Sequence, residues 1–275
     1  MNKNNLILYI GILIFGLAAP YIFPAFKVQL SILCILIVLA ITWNIQGGEM
    51  GYNTFGNILF FGLGMYICAS TQIAYSFPLA EWTAAGGVKT FVHTVDQYFT
   101  ALPIGMILAG LIPACIAAAL GSLILGLRGH YFAICTLGIG IAAGELATSM
   151  SIWGGGQGMT VPVWPKVDGQ EIDILGGSVN FFYTLTFILF FITYFFLRWL
   201  FSTRFGLILT AIRDNEDKAE AMGIPTMRYK VTGWVVSAFF MGIAGAIYGN
   251  INGYIEPTER SEEHTSELQS PCNLV

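Results

Sequence analysis

The sequence predicts an all-α, polytopic membrane bundle with about seven spans, and its composition and patterning carry that prediction. Of the 275 residues, 56% are hydrophobic and only 10% are charged, where a soluble domain holds roughly 25% charged residues. Mean hydropathy is +0.71, and the apolar residues fall in long runs rather than in alternation. Glycine, at 32 residues, is abundant, as membrane helices allow. This composition excludes a soluble globular enzyme and a disordered chain. The formal net charge of −4 leaves no basic footprint for nucleic acid.

A hydrocarbon core about 30 Å thick needs roughly 20 apolar residues of helix. The first such run is Leu6–Phe23. It resembles a signal peptide up to Leu17-Ala18-Ala19, but Pro20 hinders cleavage and the run continues, so an uncleaved span is expected. The others are Val28–Ile45, Gly56–Phe77, Leu102–Leu127, Tyr131–Met150, Val179–Phe201 and Val231–Ile251. With the N-terminus inside, the cytoplasmic segments hold Lys3, Arg128, Arg198, Arg204, Arg213, Lys218, Arg228 and Lys230. The outer ones hold Lys27, Lys89 and Lys166, so the positive-inside rule predicts a cytoplasmic N-terminus. Between Phe77 and Thr100, the residues Val88, Phe91, Val92, Val95 and Phe99 recur at helical spacing and predict an amphipathic helix lying at the interface.

Little in the chain can carry chemistry. No phosphate-binding G-x-x-x-x-G-K-[ST] loop occurs, and no H-E-x-x-H or G-x-S-x-G motif. The glycine-rich stretch Gly154-Gly155-Gly156-Gln157-Gly158 lacks the strand and helix a nucleotide loop needs. Cys34, Cys68, Cys115 and Cys135 sit in apolar runs without metal spacing and are expected to be small buried hydrophobes. Glu145 is the one acidic residue inside a span. Three readings stay open for it: a hydrogen bond to a neighbouring helix, a lining position in a polar path, or proton coupling. Gly140-x-x-x-Gly144 and Gly245-x-x-x-Gly249 predict close helix approach.

The most informative stretch is polar. In the 202–228 loop, Asp214 is placed to cap a short helix, with Asp217 near its positive end. Gly223 suits the C′ position and Pro225 stops the helix. Ile212, Ala219 and Met222 are expected to share one face. The residues themselves fit a coupling helix and a plain connector equally well.

Glu220-Ala221-Met222-Gly223 resembles the coupling loop of ABC importer permeases. Arg128-Gly129-His130-Tyr131-Phe132-Ala133-Ile134 with Thr136-Leu137-Gly138 resembles a segment of the LivM-type branched-chain amino acid permeases. So do Trp43-Asn44, Gly47-Gly48, Gly51, Phe55-Gly56-Asn57 and Phe60-Phe61-Gly62, and Ser237–Ala246. The likeness runs from about Trp43 to Pro257, the permease domain being expected over 1–257. It departs at Tyr52 and Asn57, where many members carry Gln and His. The resemblance implies a non-enzymatic transport subunit in a bacterial inner membrane, without metal or cofactor. Its implied partners are a second, LivH-type permease, two cytoplasmic ATPases, an extracytoplasmic binding protein and the lipid membrane. It assigns coupling to Arg213, Asp214, Glu220, Ala221 and Gly223, and a possible path to Asn57, Thr136 and Glu145. A urea or short-amide permease shares the same architecture, and a secondary transporter not driven by ATP is the other alternative. Past Thr258 the apolar pattern stops. The string from Arg260 to Ser270 reads as translated sequencing adapter, so 260–275 is expected to be non-native, with a further natural span missing and no role for His264 or Cys272.

Overall fold

The computed structural model describes residues 3–85, 93–167, 170–172 and 175–256. Each expected span contains a helix: α1 (Lys3–Ile22), α2 (Lys27–Asn44), α3 (Asn57–Ala74), α5 (Val95–Ile124), α6 (His130–Ser149), α7 (Ser178–Phe201) and α10 (Thr226–Asn252). Among the described residues, α2, α3, α5, α6, α7 and α10 are each long and apolar enough to cross a membrane. Three short helices lie between them, α4 (Leu79–Ala84), α8 (Arg204–Asp214) and α9 (Glu216–Ala221). The protein is a multi-pass, all-α membrane bundle.

The centre of the bundle is α10, packed between α3 and α5, and glycine decides how closely they meet. A Cβ on Gly242 would lie 1.9 Å from the Ala109 carbonyl oxygen of α5. One on Gly64 of α3 would lie 2.0 Å from the Gly242 carbonyl oxygen, and one on Gly245 2.0 Å from that of Phe61. Only hydrogen fits at these crossings, as small-residue packing in membranes requires. The Gly245-x-x-x-Gly249 expectation therefore meets its helix partner. Gly140-x-x-x-Gly144 does not: a Cβ on Gly144 meets nothing within 4 Å, and one on Gly140 comes no closer than 3.6 Å to a neighbour. Helix α6 touches α3 along one side and leaves Tyr131, Ile134, Ile141 and Leu146 exposed on the other.

Two local expectations change. Val95 and Phe99 belong to α5 itself, which opens with a Thr94–Gln97 capping box, rather than to an interfacial helix. Val88, Lys89, Phe91 and Val92 lie outside the described residues, as does the proposed tail at 260–275. The cysteines divide: Cys34 and Cys68 are buried, Cys135 is half-buried and Cys115 is exposed. On the far side of the bundle, β1 (Met159–Thr160) pairs antiparallel with β4 (Tyr254–Ile255), tying the α6–α7 connection to the end of α10. There Trp82 of α4 is buried and donates to the Thr160 carbonyl at 3.1 Å. A small hairpin, β2 (Lys166–Val167) with β3 (Gln170–Glu171), projects from the same connection.

Candidate functional site

The polar loop after α7 folds into two helices that lie against one end of the bundle. Thr203 caps α8, its side chain accepting from the Phe205 N–H at 3.2 Å. Helix α8 buries Gly206, Leu209 and Ile212 and ends at Asp214. Asn215, in extended backbone, then breaks the chain and caps α9, accepting from the Lys218 N–H at 2.9 Å. The expected cap, Asp214, is thus displaced by its neighbour, because Asp214 is still within α8. The end of α9 follows the sequence more closely. Gly223 has φ +83°, its N–H donates to the Glu220 carbonyl at 2.8 Å, and the Ile224 N–H reaches the Ala219 carbonyl at 3.1 Å. That bond pair is a Schellman turn, which needs the left-handed conformation glycine tolerates.

The face predicted for this helix is also revised. Ile212 and Ala219 are buried in the core, but Met222 is 72% exposed. The break at Asn215 puts Ile212 on a separate helix, so one periodicity cannot run through both. Ala221, Met222 and Gly223 together form an exposed tip, a methionine between two small residues. Glu220 accepts a hydrogen bond from the Thr226 hydroxyl at 2.7 Å, clasping the tip to the start of α10. Arg213 turns the other way. It donates to the Gly48 carbonyl at 3.1 Å and pairs with the exposed Asp214 at 3.6 Å.

Beneath the tip lies a cluster that sequence reasoning missed. Lys230, only 2% exposed, forms an ion pair of 2.6 Å with Glu216 and donates to the Leu125 carbonyl at 2.7 Å. It also reaches the Tyr52 hydroxyl at 3.2 Å, its ammonium standing 4.7 Å from the centre of the Tyr52 ring. The Tyr52 hydroxyl in turn donates to the second oxygen of Glu216. Arg128 closes the cluster from the α5–α6 turn, 2.7 Å from Asp217, 3.6 Å from Glu216 and 4.0 Å from Glu220. Burial pushes the Glu216 carboxyl up. Hydrogen bonds from Lys230 and Tyr52, with the charges of Lys230 and Arg128, outweigh it and hold the group below its ordinary value. Burial followed by the Glu216 carboxylate drives the Tyr52 hydroxyl the other way, well above its usual range, so it stays a donor. One carboxylate of α9 is therefore fastened to the turn before α3 and to α10, and Arg128 adds the α5–α6 turn.

The three proposed path residues do not all gather in one place. Asn57 is buried at the start of α3, donating to the Gln46 side chain at 3.3 Å and accepting from the Trp234 indole at 3.2 Å. Thr136 is buried beside it in the fold, its hydroxyl accepting from the Phe55 N–H at 3.2 Å. Glu145 is exposed. It follows Thr136 by two and a half turns, which sets it on the opposite side of α6. A cavity of about 150 Å³ between α3 and α6 is lined by Ile58, Gly62, Tyr66, Gly140, Gly144 and Trp153 among others, and by none of these three. Among the described residues, no group of three or more His, Cys, Asp or Glu side chains is placed to hold a metal ion.

Comparison with known proteins agrees with this architecture. A family model described as "Branched-chain amino acid transport system / permease component" matches residues 28–267. The high-affinity branched-chain amino acid transport system permease protein LivM of Escherichia coli (strain K12) is 27% identical, over 93% of this chain and 59% of its own length. LivM of Salmonella typhimurium is 27% identical over the same shares. The chain thus spans about three-fifths of the length of these curated relatives. No solved structure matches it. Seven helices in the expected places and a family match over most of their length lead to one conclusion: this chain belongs to the family of permease components of branched-chain amino acid transport systems.

Proposed function

We propose that the chain is a membrane-spanning permease subunit of a binding-protein-dependent ABC importer for branched-chain amino acids. One observation carries the reading: the 215–224 segment presents an exposed tip, Ala221, Met222 and Gly223, on a base fixed by Glu216, Ala219 and Glu220. A docking element needs both parts, because an exposed apolar side chain such as Met222 can seat in a partner's groove while its small neighbours allow close approach, and transmitted force requires a stiff mounting. The family match supports the transport role, and the names of the two LivM relatives support the substrate class.

On this reading the chain works in a bacterial cytoplasmic membrane with its N-terminus inside. It pairs with a second, LivH-type permease, two cytoplasmic ATPases and an extracytoplasmic binding protein. The ATPases supply the chemistry. Their closure on ATP tilts α9, and the bundle switches between outward and inward access. Glu220, Ala221 and Gly223 meet the ATPase, while Arg213 and Asp214 brace the helix before it. Asn57 and Thr136 act by holding the start of α3, and Glu145, on the exposed side of α6, lines the path shared with the second permease.

Two variants test the docking. Gly223→Val forces a branched side chain into φ +83°, and Glu220→Lys breaks the clasp to Thr226 and reverses its charge toward Arg128. Both are expected to insert normally, to lose co-purifying ATPase and to lose uptake; full uptake in both would remove α9 from the coupling role. A cysteine at Lys166 is expected to react with an impermeant reagent added outside, and one at Lys218 to stay unlabelled. The opposite pattern would place α9 away from any cytoplasmic partner.

A further inference from the structure

We propose that Tyr52 and Arg213 are positioning residues for coupling, which carry movement of the α8–α9 segment into the break between α2 and α3. The inference rests on the docking role proposed for α9 and adds the route inward from it. Helix α2 ends at Asn44, and the chain then widens into a π-helical turn, Ile45–Met50, before Gly51 reverses it at φ +74°. Such turns interrupt the regular hydrogen-bond ladder and mark places where a helix yields.

The segment grips this turn at two points, one from each side of the Asn215 break. Arg213, in the last turn of α8, donates to the Gly48 carbonyl and lies over Gly51, where a Cβ would stand 2.8 Å from its Cγ. Glu216, in the first turn of α9, accepts from the hydroxyl of Tyr52, the residue directly after that glycine. Lys230 keeps the carboxylate in place from α10.

Contacts on the inner side lead from the turn to the rest of the bundle. The Gln46 side chain accepts from Asn57, which accepts from Trp234 of α10. The Trp43 indole donates to the Thr54 carbonyl at 2.9 Å, and the next residue, Phe55, donates to Thr136 of α6. A shift of the turn therefore reaches α3, α6 and α10 together. The amide nitrogen of Gln46 is fully buried and has no partner among the described residues. A buried donor left unpaired favours any second arrangement of the turn that satisfies it.

The test is the complete complex in proteoliposomes, with radiolabelled leucine uptake and phosphate release measured on the same vesicles. Tyr52→Phe removes one hydroxyl and keeps the ring that packs on Phe132, and Arg213→Met removes the hold on Gly48 from a half-exposed site. A benzophenone amino acid at the exposed Met222 reports docking by cross-linking to the ATPase. In each variant ATP hydrolysis and the cross-link are expected to persist, while leucine moved per ATP falls at least about fivefold, the low end of ordinary coupling energies. An unchanged ratio in both variants with the cross-link present would overturn this inference and leave the docking role standing. Absence of the cross-link from position 222 when Tyr52 and Arg213 are both intact would overturn the docking role, and the inference with it.

Discussion

Gly242→Ala is expected to be among the most damaging single-methyl changes in the bundle. The added carbon would sit 1.9 Å from the Ala109 carbonyl oxygen, and the Gly242 carbonyl itself lies 2.0 Å from where a Cβ on Gly64 would stand. The clashing neighbour is helix backbone, so relief requires α5 to move bodily away from α10. Overpacking a well-packed interior by a methylene costs about 1–3 kcal/mol, and a clash with backbone on a central helix belongs at or above the top of that range. Gly144→Ala is the matched control, since its Cβ meets nothing within 4 Å. Thermal unfolding in detergent, followed by tryptophan fluorescence, should separate the two clearly. Equal melting temperatures would mean that α5 and α10 do not approach as described.

Lys230→Met is expected to cost roughly 3–5 kcal/mol, because it strips the partner from a carboxylate held inside the bundle. Arg128, 3.6 Å away but half in solvent, replaces little of that interaction. The double variant Lys230→Met with Glu216→Leu should recover much of the loss, since replacing a buried pair by apolar groups is often neutral. The pH dependence has a definite sign. The Glu216 carboxyl is held below its ordinary value in the folded chain, so its contribution is complete above the unfolded value. It is lost as pH falls through the folded value, under acid conditions only. In Lys230→Met the carboxyl loses that hold, so the damage should shrink as the medium is acidified. Damage that grows in acid would mean that Lys230 does not neutralise Glu216.

The spans were legible because a membrane helix is a local statement. About 20 apolar residues between polar ends suffice, and Val179–Phe201 foreshadows α7 to within one residue. The end of α9 was legible for the same reason, Gly223 and Pro225 both acting on neighbouring backbone. Its start was not. Asp214 and Asn215 are both good caps, and how far α8 extends decides between them. The cluster beneath α9 was hidden for a different reason. Tyr52 and Glu216 are 164 residues apart, and Tyr52 and Lys230 178, so no spacing rule connects them. In the sequence Lys230 counted only toward orientation, and Tyr52 only as a departure from a resembled motif. Glu145 was legible as unusual, but which side of α6 carries it depends on where α3 packs.

On the proposed function, this chain moves branched-chain amino acids at the expense of ATP hydrolysed by partners docked on α9. The most direct measurement is leucine accumulation in proteoliposomes holding the complete complex, with binding protein added on one side and ATP supplied on the other. Uptake is predicted to require ATP and binding protein together, to persist when ion gradients are collapsed, and to vanish in Glu220→Lys. Uptake that proceeds without ATP and follows an imposed ion gradient would contradict the account.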